Sequence, residues 1–129
     1  MIFDTNIFIY ANKRVLSAHE LLRNTEDKAI SAVTYMEYVP HCRNKKELIA
    51  FENLLEKLDF SIYEIDKQIS LLARQMVKEF ALSHSMDMGD ALIAATALSH
   101  DELLCTSNAK HFLPIDGLKL EIYSPIKKD

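Results

Sequence analysis

Five short apolar runs of strand length alternate along this chain with segments of helical period, and that alternation admits few folds. Ile2-Phe3 opens the series, followed by Ala29-Ile30-Ser31, Phe60 to Tyr63, Leu103 to Thr106, and the alternating run Leu118 to Tyr123. Between them lie helix-like segments. Ile7 to Ala11 has helical potential, and Ser17 to Thr25 predicts a short helix with Leu21 and Leu22 inward. Thr34, with Glu37 three residues on, has the spacing of a capping box at a helix start, and Pro40 predicts a kink or an end. Lys45 to Leu58 places Leu48, Phe51, Leu55 and Leu58 on one face, and Ile49 and Leu54 widen that stripe. Asp66 predicts the cap of a long helix running to about Leu82, with Ile69, Leu72, Ala73, Met76, Val77 and Phe80 inward. Ser83 to Met88 reads as a loop, and Asp90 opens an apolar helix through Leu98. Strands separated by helices predict an α/β fold with a mainly parallel central sheet covered on both faces.

A chain of 129 residues can bury a real core, and a single domain over 1–129 is expected. The 49% hydrophobic content, with two glycines and three prolines, argues against disorder or a fibrous repeat. Apolar runs are too short to span a bilayer and no signal peptide precedes the first strand, so a cytoplasmic protein without a membrane role is expected. Cys42 and Cys105 are too few for a disulfide framework, and Cys105 reads as a small buried side chain. A net charge of −4 argues against coating nucleic acid by bulk charge, yet it leaves room for acids that hold a cation. Between Ala11 and Lys46, seven basic residues stand against four acidic ones. That excess is either a solvated face or a surface that meets phosphates, with Lys13, Arg14, Arg43, Lys45 and Lys46 as the candidates.

Three acids occupy comparable places. Asp4 follows the first strand, Glu37 sits in the first turn of a helix after a strand, and Asp90 sits in the first turn of the apolar helix. Strand carboxyl ends and the starts of the following helices share one edge of a parallel sheet, so the three can converge. Each also has a purely structural reading: Asp4 as a helix cap, Glu37 as half of a capping box, Asp90 as a favourable charge on the helix dipole. Asp87, three residues before Asp90, reads as the N-cap. Carboxylates gathered at one edge repel and lose solvation, so together they call for a cation. Oxygen-only ligands favour Mg²⁺ or Mn²⁺.

The residues carry a specific resemblance. Phe3 to Tyr10, Ser31 to Glu37, Asp90 to Ala97 and Leu104 to Phe112 are similar, in order and spacing, to the four motifs of PIN-domain proteins, particularly VapC-type ribonuclease toxins. The resemblance implies a three-layer α/β/α sandwich and a metal-dependent endoribonuclease, the toxin of a toxin–antitoxin pair. It further implies an RNA substrate, Mg²⁺ or Mn²⁺ as cofactor, a cognate antitoxin as partner, and a homodimer. Asp4, Glu37 and Asp90 inherit the metal-ligand role. Asn108 falls at the fourth catalytic position, where it is neutral, and Thr5, Asn6 and Thr106 would orient carboxylates or waters. His111 lies nearest a motif and is expected at the surface or on RNA.

Two rivals stand beside this reading. A strand-ending aspartate can be the nucleophile of a phosphohydrolase, although Asn6 stands where such enzymes resemble one another in a second Asp. The other rival is a catalytically weak or inactive PIN-like module that binds RNA or a partner, which the three intact acids argue against and the neutral Asn108 keeps open.

Overall fold

The computed structural model describes residues 1–125. The domain expected over 1–129 therefore extends past it, and 126–129 lie outside the described residues. Five strands form one sheet: β1 Ile2–Phe3, β2 Ala29–Ser31, β3 Ser61–Tyr63, β4 Leu104–Thr106 and β5 Leu120–Ile122. Six α-helices connect them: α1 Thr5–Asn12, α2 Leu16–Asn24, α3 Ala32–Tyr38, α4 Lys45–Lys57, α5 Lys67–His84 and α6 Met88–His100. The strand order is β3-β2-β1-β4-β5, and every neighbouring pair is parallel.

The short strands follow a strict period of two. Ile2 pairs in register with Ala29 and Leu104, and these three side chains join one core. Phe3 pairs with Cys105, and both join Ile30 in a second core on the other face. The first core is closed by Val33, Ile69, Ala73, Met76 and the alanines of α6. Ala91, Ala94, Ala95 and Ala97 are fully buried, and such small side chains let α6 lie close against the sheet. The second core is aromatic. Phe8 on α1 meets the rings of Phe51, Phe60 and Tyr38 at centroid distances of 5.6, 5.6 and 6.2 Å. Both sheet faces are covered, giving the three-layer α/β/α arrangement. Buried Cys105 has its thiol pushed up to about 12, first by burial.

Several boundaries depart from the sequence reading. Ser31, not Thr34, caps α3: its Oγ accepts from Val33 N at 3.0 Å. Thr34 is fully buried inside the helix, so Glu37 stands in the second turn and forms no capping box. The helix starts earlier because Ser31 ends its strand with a hydroxyl free to reach the second helical N–H. The expected loop at 83–88 shrinks to residues 85–87, because α5 continues to His84 and Ser85 closes it at φ 55. Asp66 does cap α5, accepting from Ile69 N at 2.9 Å. On α4, Phe51 and Leu55 are buried while Ile49 stays exposed.

From β1 the chain builds outward to β2 and β3, then crosses through α5 and α6 to place β4 on the other side of β1. The carboxyl ends of β1 and β4 therefore flank the point where the winding direction reverses, which is where parallel sheets leave a crevice.

Candidate active site

Asp4 leaves β1 directly into that crevice. As N-cap of α1 it accepts from Thr5 N at 2.8 Å through Oδ1, and through Oδ2 it accepts from the Thr106 hydroxyl at 2.7 Å. Capping and site are thus the same act: the cap fixes one oxygen and β4 fixes the other. Thr106 is held in turn, its Oγ1 accepting from Asn108 N at 3.0 Å. Asp4 is only 6% exposed, and its carboxyl is raised from the ordinary value, first by burial, although both hydrogen bonds pull the other way.

Glu37 reaches the crevice from the second turn of α3. Thr5 Oγ1 donates to its Oε1 at 2.5 Å and also lies 3.4 Å from Thr34 Oγ1. The other oxygen, Oε2, occupies the space a Cβ on Gly89 would need. Gly89 is thus a cradle: α6 approaches α3 so closely here that a side chain would displace the carboxylate. Burial raises the Glu37 carboxyl, helped by the charges of Asp4 and Asp87.

Asp90 enters from the first turn of α6, where its N–H donates to the Asp87 cap at 2.8 Å. Its Oδ2 lies 3.0 Å from His111 Nδ1, and that same nitrogen is 3.2 Å from Asn108 Nδ2. The Asp90 carboxyl is pushed up to about 6, first by burial and then by Asp87, with His111 partly opposing the rise.

These groups line one cleft of about 360 Å³. Four carboxylates face it, from Asp4, Glu37, Asp87 and Asp90, and Asn108 and His111 close its far wall. Thr5, Asn6, Ile9 and His41 complete the lining, with no lysine or arginine among the described residues. Four acids thus face the cleft with no lysine or arginine to compensate their charge. Hard oxygen donors of this kind suit a divalent cation, and the three carboxyls are raised first by burial and then by neighbouring acids, both of which a bound cation would offset. Among the described residues, no three His, Cys, Asp or Glu side chains already close on one point as a finished metal shell. Each of the three is tied to a neighbouring side chain: Asp4 to Thr106, Glu37 to Thr5 and Asp90 to His111.

The other candidates fall differently. Thr5 and Thr106 touch the acids directly, and Asn6 lines the cleft. None of Lys13, Arg14, Arg43, Lys45 and Lys46 lines it. Arg43 binds Glu47 at 2.7 Å, and Arg14 faces a separate groove beside Phe8 and Tyr38. His111 is neither a surface residue nor simply near a motif, since its side chain is 28% exposed and contacts Asp90. Its signal in the sequence was its place three residues after Asn108, which a 3₁₀ turn at Ala109–His111 brings onto the same side. Asp87, His41 and Gly89 were likewise not singled out as members of the site.

A doubly wound parallel sheet with an acidic cleft at its switch point defines an α/β protein that works with carboxylates at the strand ends. Residues 1–117 match the model of the PIN domain. Ribonuclease VapC19 of Mycobacterium tuberculosis is 31% identical over 94 residues, covering 72% of this chain and 73% of that protein. VapBC2 from Rickettsia felis, bound to a DNA fragment from its promoter, superposes with a TM-score of 0.76 at 26% identity, covering 96% of this chain and 100% of that one. A toxin–antitoxin complex from Klebsiella pneumoniae gives 0.70 at 28% identity over 98% of each chain. The chain belongs to the PIN domain family, in which ribonuclease VapC19 is one of its relatives.

Proposed function

We propose that this protein is the ribonuclease toxin of a toxin–antitoxin pair and that it hydrolyses RNA phosphodiester bonds endonucleolytically with Mg²⁺ or Mn²⁺. The observation that carries the reading is the Asp4 carboxylate, nearly buried, raised by that burial, and facing Glu37 and Asp90 across a cleft with no lysine or arginine in its lining. Asp4, Asp90 and Glu37 would hold the cation, and the neutral Asn108 stands beside them in the cleft at the fourth catalytic position. When bound, the cation supplies positive charge against the scissile phosphate and makes a nearby water more acidic. Thr106 and the Thr5 N–H keep both Asp4 oxygens aimed, and the Thr5 hydroxyl keeps Glu37 within reach of the cleft. Asn6 lines the cleft beside them and is placed to orient water. Phosphates outside the cleft would be met by Lys13, Arg14, Lys45 and Lys46, with Arg43 already engaged by Glu47.

The chain would act in the cytoplasm as a homodimer restrained by a cognate antitoxin. Neighbours solved as a VapBC2 complex and as a toxin–antitoxin complex support the antitoxin. No helix among the described residues is long and apolar enough to cross a membrane. The phosphohydrolase reading fares worse, because Asn6 stands in the cleft where such enzymes carry a second aspartate. The test is cleavage of end-labelled single-stranded RNA with Mn²⁺, with and without a chelator. Cuts that vanish with chelator are expected. Cleavage that survives chelation contradicts the metal, and no cleavage under any condition leaves the binding-module reading in place.

A further inference from the structure

His111 presents one nitrogen to two neighbours, and one proton cannot satisfy both. Nδ1 lies 3.0 Å from Asp90 Oδ2 and 3.2 Å from Asn108 Nδ2. Toward an ionised carboxylate, Nδ1 must carry a proton and donate it. An Asn108 Nδ2 group facing the same Nδ1–H would then meet donor with donor. The two ends of an amide are nearly the same size, so turning it over costs no space and offers Oδ1 to the shared proton.

We propose that His111 is a positioning residue that fixes Asp90 and Asn108 together. Its Nδ1–H is shared between Asp90 Oδ2 and Asn108 Oδ1, so the Asn108 amide nitrogen faces the cleft. Asn108 then serves as a donor to a phosphate oxygen of the substrate rather than as a carbonyl ligand to the cation. This deepens the ribonuclease reading and rests on it for the identity of the phosphate. The arrangement of imidazole and carboxylate stands on the geometry alone. Asn108 is further steadied by its own backbone N–H, bonded to the Thr106 hydroxyl that also holds Asp4. One short segment, 106–111, therefore links Asp4 and Asp90 from the β4 side.

Two readouts need no RNA cleavage. In ¹⁵N-labelled, metal-free protein, the imidazole spectrum of His111 is expected to show a protonated Nδ1; a bare Nδ1 overturns the proposal. In a Mn²⁺ titration without RNA, His111→Ala is expected to weaken binding by about tenfold, as loss of a group orienting a ligand does. His111→Asn, whose amide N–H can take the place of Nδ1–H, is expected to recover most of that loss. Mn²⁺ binding by His111→Ala at the wild-type level overturns the proposal. For Asn108, the cleavage of labelled RNA by Asn108→Ala is expected to fall in kcat/KM while its Mn²⁺ affinity in the absence of RNA stays at the wild-type level. A matching loss of Mn²⁺ affinity would make Asn108 a cation ligand and overturn its assignment as donor. A wild-type protein that binds Mn²⁺ with protonated Nδ1 but never cuts RNA would instead sink the ribonuclease reading alone.

Discussion

Asp4, Glu37 and Asp90 are held in the cleft by Thr106, Thr5 and His111, and none is neutralised by a lysine or arginine of the lining. That division lets the folded chain hold its acids in place while leaving their charge for a cation. It also makes the metal-free protein pay in stability, because burial and mutual repulsion disfavour the ionised forms. Asp4→Asn and Asp90→Asn are therefore expected to leave the metal-free protein as stable as wild type or more so. Asparagine preserves the capping oxygen of Asp4, and the Thr106 hydroxyl can turn to accept where it now donates. Thermal unfolding in chelator checks this, and a clear loss of Tm in either variant contradicts it. The pH dependence has a definite sign. The folded Asp90 carboxyl is raised to about 6 from an ordinary 3.8, so between those values the folded state binds the proton more readily than the unfolded chain. Stability contributed by this group is fully present below the unfolded value and is lost as pH rises through about 6. Metal-free wild type is therefore expected to gain stability, relative to Asp90→Asn, as pH falls from 7 to 5. Equal pH profiles for the two proteins would contradict the assignment.

Among the elements, the approach of α3 to α6 decides whether Glu37 reaches the cleft. Gly89 in the first turn of α6 leaves the room that Glu37 Oε2 occupies. Gly89→Ala should favour the helix by up to about 1 kcal/mol on propensity. Its Cβ would at the same time push the Glu37 carboxylate off its station beside Thr5. Tm is thus expected to hold or rise while RNA cleavage falls, a pairing that ordinary loss of folding does not produce. Cleavage at the wild-type rate would show that Glu37 tolerates the shift. Phe8 belongs to the opposite core, away from this contact, and is 1% exposed among Phe51, Phe60 and Tyr38. Phe8→Ala is expected to cost about 3–5 kcal/mol, read as a loss in denaturant midpoint. A loss under 1 kcal/mol would mean that α1 and α4 can close over the gap.

For the molecule as a whole, the alternation of strands and helices carried the architecture, because a period of two between periods of 3.6 leaves a parallel sheet few alternatives. Asp4 and Asp90 were legible because each stands at the edge of an apolar run whose type was plain. Thr34 misled because Ser31 and Thr34 compete for one cap, and only the exact end of β2 decides between them. His111, Asp87 and Gly89 were harder to see. Their roles depend on distances between elements remote in sequence, and no local pattern records those. That the basic residues lie outside the cleft was illegible for a related reason: charge density along the chain says nothing of which face each side chain joins, and Arg43 is paired with Glu47. The proposed metal-dependent cleavage of RNA depends on the carboxylates that converge at the β1 and β4 ends. The most direct measurement is the rate of cutting of one labelled RNA, in Mn²⁺, by wild type, Asp4→Asn and Asp90→Asn prepared side by side. The account predicts cleavage by wild type and none above background by either folded variant; variants that cut at the wild-type rate would contradict it.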